Sequence, residues 1–262
     1  MFLQKKYPGL TLAVILAVTT AFTLLKDKPT LFIIGDSTVK NGKGKGDKNM
    51  WGWGDLLSGF FNTEQIKVEN HALGGTSSRT FLTKGLWDSV RVRIKPGDFV
   101  IMQFGHNDGG QLDDTARARG TIKGVGTESK EIYNPVTKKK EVVYTYGWYL
   151  RKFIKETKEK GGIALVCSLV PRDSWKDGKV VRDEGGYGES AKKTAETEGA
   201  YFIDLNRLTA DKYDISGPDV VKAYFPGDHT HTNLDGAKIN AGSVAEAIHA
   251  LPHCPLAKYL LK

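Results

Sequence analysis

Five short apolar runs punctuate the chain: LFII at 31–34, IKVEN at 66–70, DFVIMQF at 98–104, GIALVCSLV at 162–170 and AYFIDL at 200–205. Each is strand-length and rich in Val, Ile or Phe. Several are apolar at nearly every position, as expected of strands covered on both faces. The stretches between them carry a longer period. YGWYLRKFIKETKEKGG (146–162) sets Trp148, Leu150, Phe153 and Ile154 near one face and closes in Lys and Gly, a helix stop. GESAKKTAETEG (188–199) reads as a polar surface helix closed by Gly199, and NLDGAKINAGSVAEAIHAL (233–251) as a terminal amphipathic helix capped by Asn233. Strands alternating with helices predict an α/β fold, a parallel sheet with helices on both faces. The stretch 109–145 breaks the pattern, being polar and too long for a plain connector. It predicts an insertion beside the site, with a small hairpin around Asn134-Pro135.

The first residues depart from this globular pattern. Lys5 and Lys6 precede an apolar stretch, Leu10–Leu25, with small residues near Thr19–Ala21. A basic start and a short apolar run predict a signal peptide over 1–25 and an exported, periplasmic or secreted, domain over 26–262. The run is shorter than the ~20 residues of a spanning helix, and an uncleaved anchor is the alternative. At 262 residues the chain has length for one domain with a sizeable core. The formal charge of +8 favours acidic partners, but no recognition motif accompanies it, so no nucleic-acid partner is expected. The two cysteines, Cys167 in an apolar run and Cys254 near the C-terminus, have no zinc-type spacing. A disulfide between them stays open.

Residues that carry chemistry gather at the predicted strand exits, where parallel α/β sheets bind ligands. Gly35-Asp36-Ser37 follows the first strand, NHALGGTSSRTF (70–81) the second and GHNDGG (105–110) the third; FPGDHTHTN (225–233) precedes the last helix. A serine hydroxyl attacks only when a base takes its proton, and a histidine does so best when a carboxylate fixes its tautomer. Asp228 and His231, three residues apart, can meet on one side of a turn. The backbone N–H groups of Ser37 and Gly75 and the side-chain amide of Asn107 are suitable donors for an oxyanion.

These four blocks, in this order from residue 33 to 233, resemble those of the SGNH (GDSL-type) hydrolases. GDSTVKNG followed by WGWG, then GHNDGG and FPGDHTHTN, resembles the rhamnogalacturonan acetylesterase group within them. The resemblance implies a flavodoxin-like three-layer α/β/α sandwich with a five-stranded parallel sheet and no cofactor. It implies Ser37 as nucleophile, His231 rather than His229 as base, Asp228 as its orienter, and Ser37, Gly75 and Asn107 as the oxyanion hole. The implied activity is removal of O-acetyl groups from an acidic polysaccharide such as rhamnogalacturonan; acetylxylan or a lipid-type ester is the alternative. The G-x-S-x-G elbow of α/β-hydrolases is absent around Ser37, in keeping with this group.

Other residues compete for roles. Asp36 is expected to tie down the loop, because adjacent side chains diverge. His106 reads as loop packing. Trp53, Arg79 and His229 are the candidates for substrate contact, with Arg117, Arg119 and Lys123 as further cations for a uronate carboxylate. Asp108, Asp228, His229 and His231 are metal-ligand types, but no helix-spaced histidine pair accompanies them, so no metal is expected. A monomer is expected.

Overall fold

In the computed structural model the described residues are 28–40, 46 and 48–261. The segment expected to be a signal peptide lies outside them. In chain order the first half holds β1 (Thr30–Gly35), β2 (Lys67–Asn70), α1 (Ser78–Thr83), α2 (Leu86–Arg91), β3 (Phe99–Gln103), β4 (Ser129–Asn134) and β5 (Lys139–Tyr144). Then come α3 (Tyr146–Glu159), β6 (Ile163–Cys167), β7 (Trp175–Lys176), β8 (Lys179–Val180), α4 (Tyr187–Thr197), β9 (Tyr201–Ile203), α5 (Leu205–Ser216), α6 (Pro218–Lys222) and α7 (Leu234–Ala250).

The five apolar runs form the five strands of one parallel sheet in the order β2-β1-β3-β6-β9. Side chains alternate across a strand, so each run feeds two cores. Leu31, Ile33, Phe99, Ile101, Leu165 and Cys167 face one side, where Ala241, Val244 and Ile248 of α7 cover them. Phe32, Ile34, Val100, Met102, Ala164 and Val166 face the other, under Phe81 of α1, Trp87 of α2, Phe153 of α3 and Ala195 of α4. The result is the three-layer α/β/α sandwich. Cys167 and Cys254 are free thiols on the first of these cores.

The insertion folds as expected into a hairpin, β4 against β5. Its turn is built by Asn134, whose side-chain oxygen accepts from the N–H groups of Val136 and Thr137. Two helix readings change. On α3 the buried face is Tyr146, Tyr149, Leu150, Phe153, Ile154 and Thr157, the i, i+3, i+4 stripe of a helix. Trp148 lies off that stripe and stacks on Tyr144 at 4.0 Å. Helix α4 is less of a surface helix than its composition suggests, because Gly188, Ala191, Thr194 and Ala195 let it pack closely.

Candidate active site

Ser37 lies two residues beyond the end of β1, on a loop fixed by a buried polar chain. Asp36 Oδ1 accepts from the N–H of Thr38 at 2.9 Å and from its hydroxyl at 2.8 Å. The Thr38 hydroxyl in turn accepts from Gln103 Nε2 at 2.6 Å, and Gln103 Oε1 accepts from the Trp53 indole N–H at 2.8 Å. Trp53 is fully buried in the core. The expectation of substrate contact by Trp53 is therefore corrected: its ring has no free face and its one donor is used internally.

The loop carrying the histidines is tied down on both flanks. Thr232 pairs with Trp51, whose N–H donates to the Thr232 carbonyl at 2.7 Å. The His229 carbonyl accepts from the N–H of Asp173 at 2.9 Å, and Asn233 caps α7 by accepting from Gly236. Within the loop, Asp228 Oδ1 accepts from the N–H groups of Thr230 and His231 at 2.7 and 2.8 Å. Its second oxygen meets His231 Nδ1 at 2.7 Å, and His231 Nε2 meets Ser37 Oγ at 2.7 Å. Burial opposes the charge on Asp228, but the imidazole and the two backbone N–H groups outweigh it and hold the carboxyl down at about 2. An ionised carboxylate can only accept, so Nδ1 carries the hydrogen and Nε2 is free to accept from the serine.

Donors stand beside this row. Gly75 has φ +80, a left-handed conformation that suits glycine. A methyl group at Gly74 would sit 3.6 Å from Ser37 Cβ, so the glycine turn lies directly against the serine. The N–H groups of Ser37 and Gly75 donate to no group among the described residues. Asn107 gives one amide hydrogen to the Thr76 carbonyl at 2.7 Å, which orients the side chain and leaves the other hydrogen unused. Neither Thr76 nor Gln103 was foreseen in this supporting role. A polar residue near the end of the apolar run FVIMQF (99–104) was the available signal for Gln103.

Three titratable groups lie buried behind the row. Burial pushes Asp36 up to about 6, against the bonds from Thr38. Burial pushes Asp108 up to about 7; Ser78 and Gly105 donate to it, while the charge of Asp36 adds to the upward shift. Burial, aided by Arg172 and the other histidines, pushes His106 down to about 3, so its ring is neutral. The Val170 backbone lies close enough to favour the charged form, yet neither ring nitrogen makes a hydrogen bond of ordinary geometry.

Arg79 is a second correction. Its side chain is fully buried, with Nε and Nη2 each 2.7 Å from the two oxygens of Glu141 on β5. Nη1 donates to the carbonyls of Leu112 and Gly120. All three nitrogens are used inside the protein, so none is left for substrate. His229 is exposed. Among the described residues no group of three or more His, Cys, Asp or Glu side chains is arranged to hold a metal ion.

A parallel α/β/α sandwich with a hydroxyl, an imidazole and a carboxylate in hydrogen-bonded series at its rim is equipped for acyl transfer. Comparison with known proteins agrees. The sequence profile of the GDSL-like Lipase/Acylhydrolase family matches residues 33–239, and the chain belongs to that family, in its rhamnogalacturonan acetylesterase-like group. It is 30% identical over 220 residues to the rhamnogalacturonan acetylesterase of Emericella nidulans, covering 84% of each chain. It is 31% identical over 238 residues to the probable rhamnogalacturonan acetylesterase YesY of Bacillus subtilis, covering 88% of this chain and 97% of that one. Among solved structures, the YXIM protein of Bacillus subtilis superposes with a TM-score of 0.68 at 25% identity, over 85% of this chain and 56% of that one. The chain is thus an ester hydrolase.

Proposed function

We propose that the protein is an exported, monomeric carbohydrate acetylesterase that removes O-acetyl groups from an acidic polysaccharide of the rhamnogalacturonan type. The observation that carries the chemistry is the series Asp228–His231–Ser37, closed at 2.7 Å on both sides of the imidazole beside two unused backbone N–H groups. The names and coverage of the relatives support the choice of acetyl group and polymer.

In this reading Ser37 Oγ attacks the acetyl carbonyl while His231 Nε2 takes its proton. The N–H groups of Ser37 and Gly75 and the amide of Asn107 receive the negative oxygen, each such donor lowering the barrier by roughly 3–4 kcal/mol. His231 then returns the proton to the departing sugar hydroxyl, leaving an acetyl-serine. A water molecule gives its proton to His231 and its oxygen to the acetyl group, and acetate leaves as Ser37 regains its hydrogen. Asp228 holds the imidazole in the required tautomer and balances its transient charge.

The test is acetate release from a panel of acetylated polysaccharides by the wild type and by Ser37→Ala. The substitution is expected to remove turnover by about 10⁴-fold or more, with the circular dichroism spectrum unchanged. Undiminished release would overturn the assignment.

A further inference from the structure

A cleft of about 670 Å³ opens beside the glycine turn, lined by Gly74, Gly75, the end of α1, the loop 116–119 and the β4–β5 hairpin. Its size is that of a small-ligand site, and it begins at the glycines that abut Ser37. Its walls carry Lys84, Arg117, Arg119 and Lys139, and none of these four has an ion-pair partner among the described residues. The one carboxylate on the wall, Glu141, is taken by Arg79 and by Asn134. No carboxylate among the described residues pairs directly with these four groups; Asp36, Asp108 and Asp114 act on Arg119 only through space.

The positive groups are also held in place. Arg119 Nη1 donates to the Gly75 carbonyl at 3.0 Å, which sets its guanidinium one peptide away from the serine's neighbour. The residue before it, Ala118, is buried with φ +43, a left-handed conformation that costs a non-glycine residue energy. Gly120 follows with its α-carbon close against the Gly110 carbonyl, leaving no room for a side chain. Behind the wall Arg79 clamps Leu112, Gly120 and Glu141 together. Burial and the nearby charge of Arg117 disfavour the charge on Arg119, and the more distant Asp36, Asp108 and Asp114 offset only part of this. A bound carboxylate supplies Arg117 and Arg119 with the direct partner that the described residues do not.

We infer that this cleft is a subsite for a uronate carboxylate of the same polymer whose acetyl group lies at Ser37, with Arg117, Arg119 and Lys139 setting the preference for an acidic chain. The inference rests on the esterase reading of the adjoining Ser37. A planar guanidinium pairs with a carboxylate through two parallel bonds, whereas a neutral xylan or a lipid chain offers nothing to these groups. The insertion 109–145 is then what turns a general acetyl-ester site into one selective for acidic polymers.

The experiment compares kcat/KM on acetylated rhamnogalacturonan with kcat/KM on 4-nitrophenyl acetate. The double variant Arg117→Gln/Lys139→Gln is expected to lower the ratio of the two by about tenfold, carried by KM on the polymer. Arg119→Gln should lower it too, and Arg119→Lys should restore part of the loss. A ratio that moves less than about twofold, or an equal fall of kcat on both substrates, would overturn the subsite. A second arm needs no turnover: calorimetric titration of Ser37→Ala with trigalacturonate, with and without Arg117→Gln/Lys139→Gln. Binding that the added substitutions weaken supports the subsite; binding that they leave unchanged, or no binding to Ser37→Ala at all, rejects it. Failure of the wild type on every acetyl ester would sink the esterase reading while the calorimetry still decides the cleft.

Discussion

Asp228 shows how one carboxylate can serve both a loop and a reaction. Three hydrogen bonds converge on its two oxygens, and the carboxyl, held at about 2, stays ionised throughout any ordinary assay. Protonation of Asp228 itself should therefore leave no mark on a pH–rate profile above about pH 4. Asp228→Asn should lower kcat by about 10³–10⁴-fold, because an amide no longer enforces the tautomer. The buried acids behind the row make a separate statement about stability. Burial raises Asp36 and Asp108, so between about pH 4 and pH 7 the folded protein holds protons that the unfolded chain has released. Their contribution therefore falls as pH rises through that window. His106 runs the other way: between about pH 3 and pH 6.5 the unfolded chain holds a proton that the folded ring refuses, so its contribution rises with pH through that window. Removing one member separates them. Asp108→Asn should lower Tm at pH 4, where it loses the fit to Ser78, and close the gap on the wild type towards pH 7. The gap should close by up to about 1.4 kcal/mol per pH unit. Parallel Tm curves would reject this account.

At the level of elements, the sheet was legible because its inner strands β1, β3 and β6 are apolar on both faces, and the long helix α3 because its stripe repeats over 14 residues. The short helices α1 and α2, of 6 residues each, are too brief for any period to appear. Helix α5 went unseen because its interior is mostly polar; Asp204 starts it by accepting from the Arg207 N–H. The four chemical blocks were readable from their positions at strand exits. The substrate-contact residues were not, because nothing in the sequence distinguishes a tryptophan that faces a sugar from one that donates to Gln103. Arg79 illustrates the same limit and yields a prediction. It joins α1, the loop 110–122 and β5, so Arg79→Ala leaves Glu141 short of its partner and two carbonyls unpaired. Breaking a buried pair from one side costs about 3–5 kcal/mol, or about 10 °C in Tm for a domain of this size. Limited proteolysis should open the hairpin β4–β5 first. A melting temperature within about 2 °C of the wild type would show that the clamp is not what holds the insertion down.

For the molecule as a whole, charge is the property that links fold to partner. The formal charge of +8 is spread along the sequence, and many of its cations are spent in local pairs such as Arg151 with Glu198 and Arg182 with Asp214. The cleft beside Ser37 is different, because Lys84, Arg117, Arg119 and Lys139 have no ion-pair partner among the described residues there, on the same edge as Ser37. Composition alone gave only the sign of this field; its position depended on how the insertion folds back against α1. A field of one sign over an open cleft raises the encounter rate with an oppositely charged polymer and is weakened by salt. The screening length falls from about 30 Å at 0.01 M to about 8 Å at 0.15 M, a range comparable to the reach of the cleft. Turnover of acetylated rhamnogalacturonan at low substrate should therefore fall by about fivefold between 0.01 and 0.15 M NaCl, whereas turnover of 4-nitrophenyl acetate should stay level. The two substrates share Ser37 and differ in charge, so a parallel response would assign the salt effect to the reacting groups themselves. A fall seen only with the acidic polymer, and flattened in Arg117→Gln/Lys139→Gln, is the outcome that a localised field requires.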